Sequence, residues 1–256
     1  MGDSKRKKSG TKKTSQAIHA AHAVISDSEY EIVTGIDSKA VFVYQWPVRV
    51  WHWINALTIV ILCITGYLIA SPLPTVSGEA SNNYVMGYIR FVHFGAGYIM
   101  AIGFIVRGYI AIVGNRHAQE MFTIPVFNKA FWKEVIFMLK NYSFLSNETH
   151  RYVGHNPLSR LSMFGFSFLS AFMILTGFAM YGEGTLKGSW ANDFVTSWIL
   201  PLFGNNSFNL HTWHHIGMWA TIIFVMIHIY AALREEIFGQ QSMVSTMVSG
   251  YRFFKH

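Results

Sequence analysis

Charge is what this 256-residue sequence has least of: Asp, Glu, Lys and Arg make up 13% of it, about half the share usual in a soluble domain. Hydrophobic residues make up 52% and the mean hydropathy is +0.29. That balance excludes an ordinary soluble fold and points to a membrane protein. Cysteine is nearly absent. The single one, Cys63, sits inside an apolar run, so this chain alone can build neither an intrachain disulfide nor a cysteine-held iron–sulfur cluster. The basic start, Met1 to Lys13, is not followed by an apolar stretch and is not expected to be a cleaved secretion signal. No internal repeat is visible. The net charge of +7 does not read as a nucleic-acid site, because Lys and Arg fall between the apolar runs, where anionic headgroups lie.

What is there instead is a set of long apolar runs behind a basic tail. Residues 1–40 are rich in Lys, Ser, Thr and Ala and are expected to form a disordered cytoplasmic tail. In it, His19 and His22 read as surface residues and Lys5-Arg6-Lys7-Lys8 as a headgroup-facing arm. Residues 41–256 read as one membrane domain with spans at about 50–70, 84–113, 158–181 (uncharged from Leu161) and 210–233. Trp46, Trp51 and Trp53 fit the interfacial aromatic belt before the first span. In the second span, Arg90 and Arg107 flank 16 uncharged residues, and each is expected to snorkel to its own surface. In the long connection 114–156, Phe131, Trp132, Val135, Ile136 and Leu139 recur at helical spacing. That predicts an amphipathic helix over Phe131–Tyr142, lying along the membrane surface. Residues 182–209 read as a Gly/Ser/Asn-containing loop. Arg116, Lys129, Lys133, Lys140 and Arg151 crowd the connection 114–156, whereas the other two loops hold only Lys187. The positive-inside rule therefore predicts an all-α, integral-membrane four-helix bundle with both termini cytoplasmic.

The segment Leu210–Leu233 carries no charged residue but four histidines, His211, His214, His215 and His228. Imidazoles in hydrocarbon are costly and need partners. His214 and His228 are 14 residues apart, about 3.9 helical turns, so they share one face at opposite ends of the span. With the topology above, His93 enters the second span at the outer depth of His214, and His52 begins the first at the inner depth of His228. Each pair can supply both axial ligands of one haem, His93/His214 outside and His52/His228 inside, within the bundle interior. With no C-x-x-C-H in the sequence, such haems are held non-covalently, as b-type. A lone histidine in an apolar helix more often hydrogen-bonds a neighbouring helix. Four of them pairing at two depths favour ligation, and two depths disfavour a convergent zinc site. His211 and His215 read as hydrogen-bonding residues, and Arg90 as a propionate partner or a snorkelling residue.

Arg49-Val50-Trp51-His52-Trp53 on the first span, His93 on the second, and Thr212-Trp213-His214-His215 followed by His228 on the fourth resemble the Ni/Fe-hydrogenase b-type cytochrome subunits, across residues 42 to 256. The resemblance implies a diheme cytochrome of the cell inner membrane that anchors the hydrogenase small and large subunits on the outer face. It would take electrons from an Fe–S cluster of the small subunit and reduce a quinone, menaquinone or ubiquinone, through two haems b. The hydrogen-activating site would lie in the partner enzyme. The resemblance further implies that His150 and Asn156 form the quinone site; a quinone carbonyl needs a hydrogen-bond donor, and its reduction needs protons. His155 is a competing candidate. Two other readings stay open: the cytochrome b subunit of a formate dehydrogenase or another molybdenum oxidoreductase, and a proton-coupled transporter. The absence of an intramembrane carboxylate and of broken-helix repeats weakens the second.

Overall fold

A computed structural model describes residues 41–74, 83–146, 150, 152 and 154–253. The expected basic tail 1–40, with His19 and His22, lies outside the described residues, as do Arg151 and most of the connection after the first span.

Four long helices carry the fold: α1 (Trp46–Ala70), α2 (Val85–Val113), α5 (Pro157–Glu183) and α7 (Ser207–Ile237). Each is long and apolar enough to cross a bilayer. Each matches an expected span; α1, α5 and α7 extend theirs by up to four residues at an end, because caps and interfacial side chains continue the helix past the apolar run, while α2 begins one residue later than expected. Proline stands in the first turn of both α1 and α5, where the missing N–H costs nothing. Asparagine caps recur through the chain. Asn156 Oδ1 accepts from Ser159 N at 2.7 Å at the start of α5, and Asn206 Oδ1 accepts from Phe208 N at 2.9 Å at the start of α7. The helices form a closed ring in which α1 packs on α2 and α7, and α5 packs on the same two, leaving α2 and α7 diagonal to each other. Phe91, Ile105 and Ile112 stand outward and exposed on α2. That pattern suits lipid, since all backbone groups of a spanning helix are satisfied internally.

Where α1 and α5 begin and α2 and α7 end, the bundle carries a cap; this is the basic end. Short α3 (Arg116–Gln119), α4 (Lys129–Tyr142), α8 (Met243–Ser249) and an antiparallel pair of two-residue strands, β1 (Val41–Phe42) and β2 (Tyr251–Arg252), gather there. Gly250 makes the turn into β2 with φ +88°, and its carbonyl accepts from Val43 N and Tyr44 N. A side chain there would press on the Tyr44 carbonyl at 2.7 Å. The predicted amphipathic helix is α4, and its apolar residues divide between two faces. Phe131, Val135 and Met138 are buried with Tyr152, while Trp132, Ile136 and Leu139 face away, exposed.

Two expectations are corrected. Arg107 does not snorkel: it is 4% exposed, donates from Nη2 to the Ala118 carbonyl at 2.8 Å, and lies over the rings of Trp51 and Phe122. The cap folds over this end of α2 and offers the guanidinium a carbonyl and two aromatic faces in place of water. The loop expected at 182–209 is largely helical, with a π-turn (Asn192–Thr196) running into α6 (Ser197–Leu202). Thr196 Oγ1 anchors it by donating to the Ala179 carbonyl at 2.9 Å, an approach that only a glycine at 182 permits, since a Cβ there would lie 2.2 Å from Thr196 Oγ1.

Candidate functional site

At the end opposite the cap, the four helices part around a cavity of about 880 Å³, within the range of about 300–1,000 Å³ that organic cofactors occupy. His93 from α2 and His214 from α7 both line it, with apolar walls from Ile59, Leu62 and Ile174 and with Arg90 and His211 also on its wall. Each of these two histidines is held from behind by a threonine of the neighbouring helix. Thr65 Oγ1 on α1 lies 2.8 Å from His93 Nδ1, and Thr176 Oγ1 on α5 lies 2.7 Å from His214 Nδ1. A glycine follows each threonine. A Cβ on Gly66 would come within 3.2 Å of His93 Cε1, and one on Gly177 within 3.3 Å of His214 Cε1. The rings rest where side chains would otherwise stand.

Nearer the cap, His52 of α1 and His228 of α7 face each other with ring centroids 6.4 Å apart. Among the described residues, His52 Nδ1 is buried without a hydrogen-bond partner. Phe224 stacks on His228 and on Phe166. Trp51, beside His52, donates to the Gly103 carbonyl at 2.7 Å and so ties α1 to α2. The 14-residue spacing of His214 and His228 recurs on two other helices, as His52 and Gly66 on α1 and as His93 and Arg107 on α2. Each helix therefore turns one face to the bundle interior at both levels. The structure thus sets His52 against His228 and puts His93 and His214 on the wall of one cavity.

These residues fit haem. An iron held by two imidazoles places their centroids about 6 Å apart, two metal–nitrogen bonds of about 2 Å plus the ring radii. The separation of His52 and His228 matches that figure. At the other level the cavity and the two glycine cradles provide the room. The other histidines of α7 each bond a residue of their own helix: His215 Nε2 accepts from Trp219 Nε1 at 3.0 Å, and His211 Nδ1 donates to the Ser207 carbonyl at 2.9 Å.

Inside the cap, His150 and Asn156 share no hydrogen-bond partner among the described residues. His150 bonds Glu134 Oε2 at 3.2 Å and stacks on Phe137, while Tyr152 donates to the same carboxylate oxygen at 2.8 Å. Asn156, 4% exposed, caps α5 through its oxygen and donates through Nδ2 to Tyr142 Oη at 2.7 Å. His155 joins a third group, with Tyr44 Oη 3.1 Å from its Nε2 and its backbone N–H donating to Glu120 Oε2 at 3.1 Å. His117 Nδ1 holds the other Glu120 oxygen at 2.8 Å. Burial pushes the Glu120 carboxyl up, but the hydrogen bonds from His117 and His155 outweigh it and hold the group below the usual carboxylate range. Burial also holds the His155 ring below the usual imidazole range, against the pull of Glu120.

The threonines and glycines behind His93 and His214 escape a reading that looks only for ligands. Their signal was nonetheless present: Ile64-Thr65-Gly66-Tyr67 in α1 recurs as Leu175-Thr176-Gly177-Phe178 in α5. That echo is too short to register as a repeat, yet it occupies equivalent places around one cavity.

Residues 43–250 match the family model described as prokaryotic cytochrome b561. A protein of Cupriavidus necator named "Probable Ni/Fe-hydrogenase B-type cytochrome subunit" is 56% identical over 241 residues, covering 94% of this chain and 98% of the relative. A protein of the same name from Azotobacter chroococcum is 55% identical over 217 residues, covering 84% and 90%. The Escherichia coli protein named "Probable Ni/Fe-hydrogenase 1 B-type cytochrome subunit" is 42% identical over 214 residues, covering 84% and 91%.

Proposed function

The chain belongs to the prokaryotic cytochrome b561 family, and from that premise we propose that it is the haem b-holding membrane subunit of a Ni/Fe hydrogenase. In this reading it carries electrons from the iron–sulfur small subunit, docked with the large subunit at the open end, to a membrane quinone at the basic end. The names of its relatives favour a hydrogenase over a molybdenum enzyme as partner. The observation that carries the reading is the arrangement of four histidines at two levels: His52 and His228 facing at 6.4 Å, His93 and His214 on one cavity wall.

His93 and His214 would hold one iron and His52 and His228 a second, each through a neutral imidazole nitrogen. Haem b, when bound, supplies reversible one-electron transfer. The apolar lining excludes water from the open-end site, and Arg90 and His211 offer counter-charge and hydrogen bonds to the carboxylates of the bound group. At the basic end, Asn156 would donate a hydrogen bond to orient the quinone, and His150 would deliver protons. Reduction to the quinol takes two electrons and two protons; oxidation of one hydrogen molecule in the partner enzyme releases the two electrons. Among the described residues only Arg90 and Lys187, of all lysines and arginines, belong to the open end. That supports placing the basic end in the cytoplasm, the open end outside and the chain in the cell inner membrane. Turnover with protons taken from inside then builds a membrane potential.

The test is haem stoichiometry. The purified chain is expected to show a Soret band and two haems b per chain by pyridine haemochrome, with His214→Ala and His52→Ala each retaining one. No Soret band would favour a transporter, and two haems in both variants would refute the pairing. Proteoliposomes in which hydrogen-dependent quinone reduction generated no potential would refute the orientation.

A further inference from the structure

We propose that Thr65 and Thr176 are positioning residues that set the tautomer and ring orientation of His93 and His214; this rests on reading those histidines as axial ligands. A threonine hydroxyl has one proton to give and lone pairs to receive another. Thr65 Oγ1 gives its proton to the Ile61 carbonyl at 2.6 Å, and Thr176 Oγ1 gives its own to the Phe172 carbonyl at 2.7 Å. Each hydroxyl is the usual back-bonded threonine of an apolar helix, its donor spent on the preceding turn. Toward the histidine it can therefore only accept, so Nδ1 of each ring carries the proton. The lone pair of each ring is left on Nε2, the nitrogen that remains for a metal.

Gly66 and Gly177 complete the device. The ring edge at Cε1, between the two nitrogens, rests against the helix backbone at 3.2 and 3.3 Å from where a Cβ would stand. The threonine fixes which nitrogen is free, and the glycine fixes how far the ring leans. The pair occurs once on α1 and once on α5, the two helices that hold no open-end histidine, so both sides of the cavity are set alike. The basic-end pair differs: among the described residues, His52 Nδ1 has no partner. A partner that accepts from Nδ1 raises the donor strength of the opposite nitrogen and steadies the oxidised iron. Removing it raises the midpoint potential of that haem alone.

The experiment compares the full-length haem-loaded chain with Thr65→Val and Thr176→Val, which keep the shape and remove the acceptor, and with Thr65→Ser and Thr176→Ser, which restore it. The valine variants are expected to retain two haems, to shift one midpoint potential upward in spectroelectrochemical titration, and to broaden one low-spin ferric EPR signal; the serine variants return both to wild type. Valine variants with two haems and unchanged potential and EPR overturn the inference. So does an equal shift of both haems. Should the valine variants fail to accumulate, solid-state nitrogen NMR of the reduced wild-type protein labelled in histidine decides. Protonated, hydrogen-bonded Nδ1 on the open-end rings supports the lock, and bare Nδ1 refutes it. His93→Ala that kept two haems would instead remove the ligand reading beneath it.

Discussion

Gly154→Ala offers a test of how the cap is held. A methyl group there would sit 2.4 Å from Glu120 Oε2 and 2.8 Å from both Glu120 Oε1 and His117 Nδ1. Ordinary van der Waals separation requires the carboxylate to withdraw by about 1 Å. Its oxygens are held at 2.8 Å by His117 and 3.1 Å by the His155 N–H, so that retreat breaks both bonds. Each is charge-assisted, at about 1.5–3 kcal/mol, and stranding a buried charge costs about 3–5 kcal/mol in all. The loss falls on the cap, because the spanning helices keep their own hydrogen bonds. At about 1.4 kcal/mol per decade, amide exchange over residues 116–121 and 154–156 should accelerate about a hundred- to several-thousand-fold in detergent micelles. In a Glu120→Ala background the same methyl finds space, so the double-mutant cycle should show that the cost resides in the pair. Equal acceleration by Gly154→Ala in both backgrounds, or none in either, would falsify the steric argument.

Asn156→Asp separates two roles of one residue. The carboxylate still caps α5, so helix and haem content should hold, but the donor toward Tyr142 and any quinone is gone. Hydrogen-dependent quinone reduction should fall at least tenfold while reduction of an artificial dye persists; unchanged quinone reduction would remove Asn156 from the quinone site. Acidification should loosen the cap. Glu120, held below the carboxylate range, stabilises the fold fully above its ordinary value and loses that contribution progressively as pH falls from there through its lowered folded value. His155, held neutral by burial, likewise stabilises above the ordinary imidazole value and less below it. The two act in one direction, so proteolysis within 114–156 should quicken as pH drops, and Glu120→Gln should flatten the acidic part of that profile.

The cap was the least legible part of the chain. Asn156, argued as a quinone ligand by resemblance, also begins α5, and both of its side-chain groups are engaged with protein. Arg107 read as a snorkelling residue because, in a linear chain, a charge at a span's edge has water to turn to; folding placed α3 and two rings there instead. The stretch before α7 read as loop from its Gly, Ser and Asn, yet packing of Thr196 against Gly182 made it helical. In each case a contact distant in sequence overrode a local preference.

What the sequence determined by itself was everything that follows from one helix at a time. Spanning segments must satisfy their own backbones, so uncharged runs declare the four helices, and a period of 3.6 residues declares that His214 and His228 share a face. What only the tertiary structure decided was how the helices are rotated and set in depth against one another: that His228 meets His52, that Thr65 and Thr176 stand behind His93 and His214, and that a cavity opens between diagonal helices. Rotation and depth are settled where small residues such as Gly66, Gly177 and Gly182 let helices and rings approach, and those contacts are properties of pairs of segments that no single segment encodes.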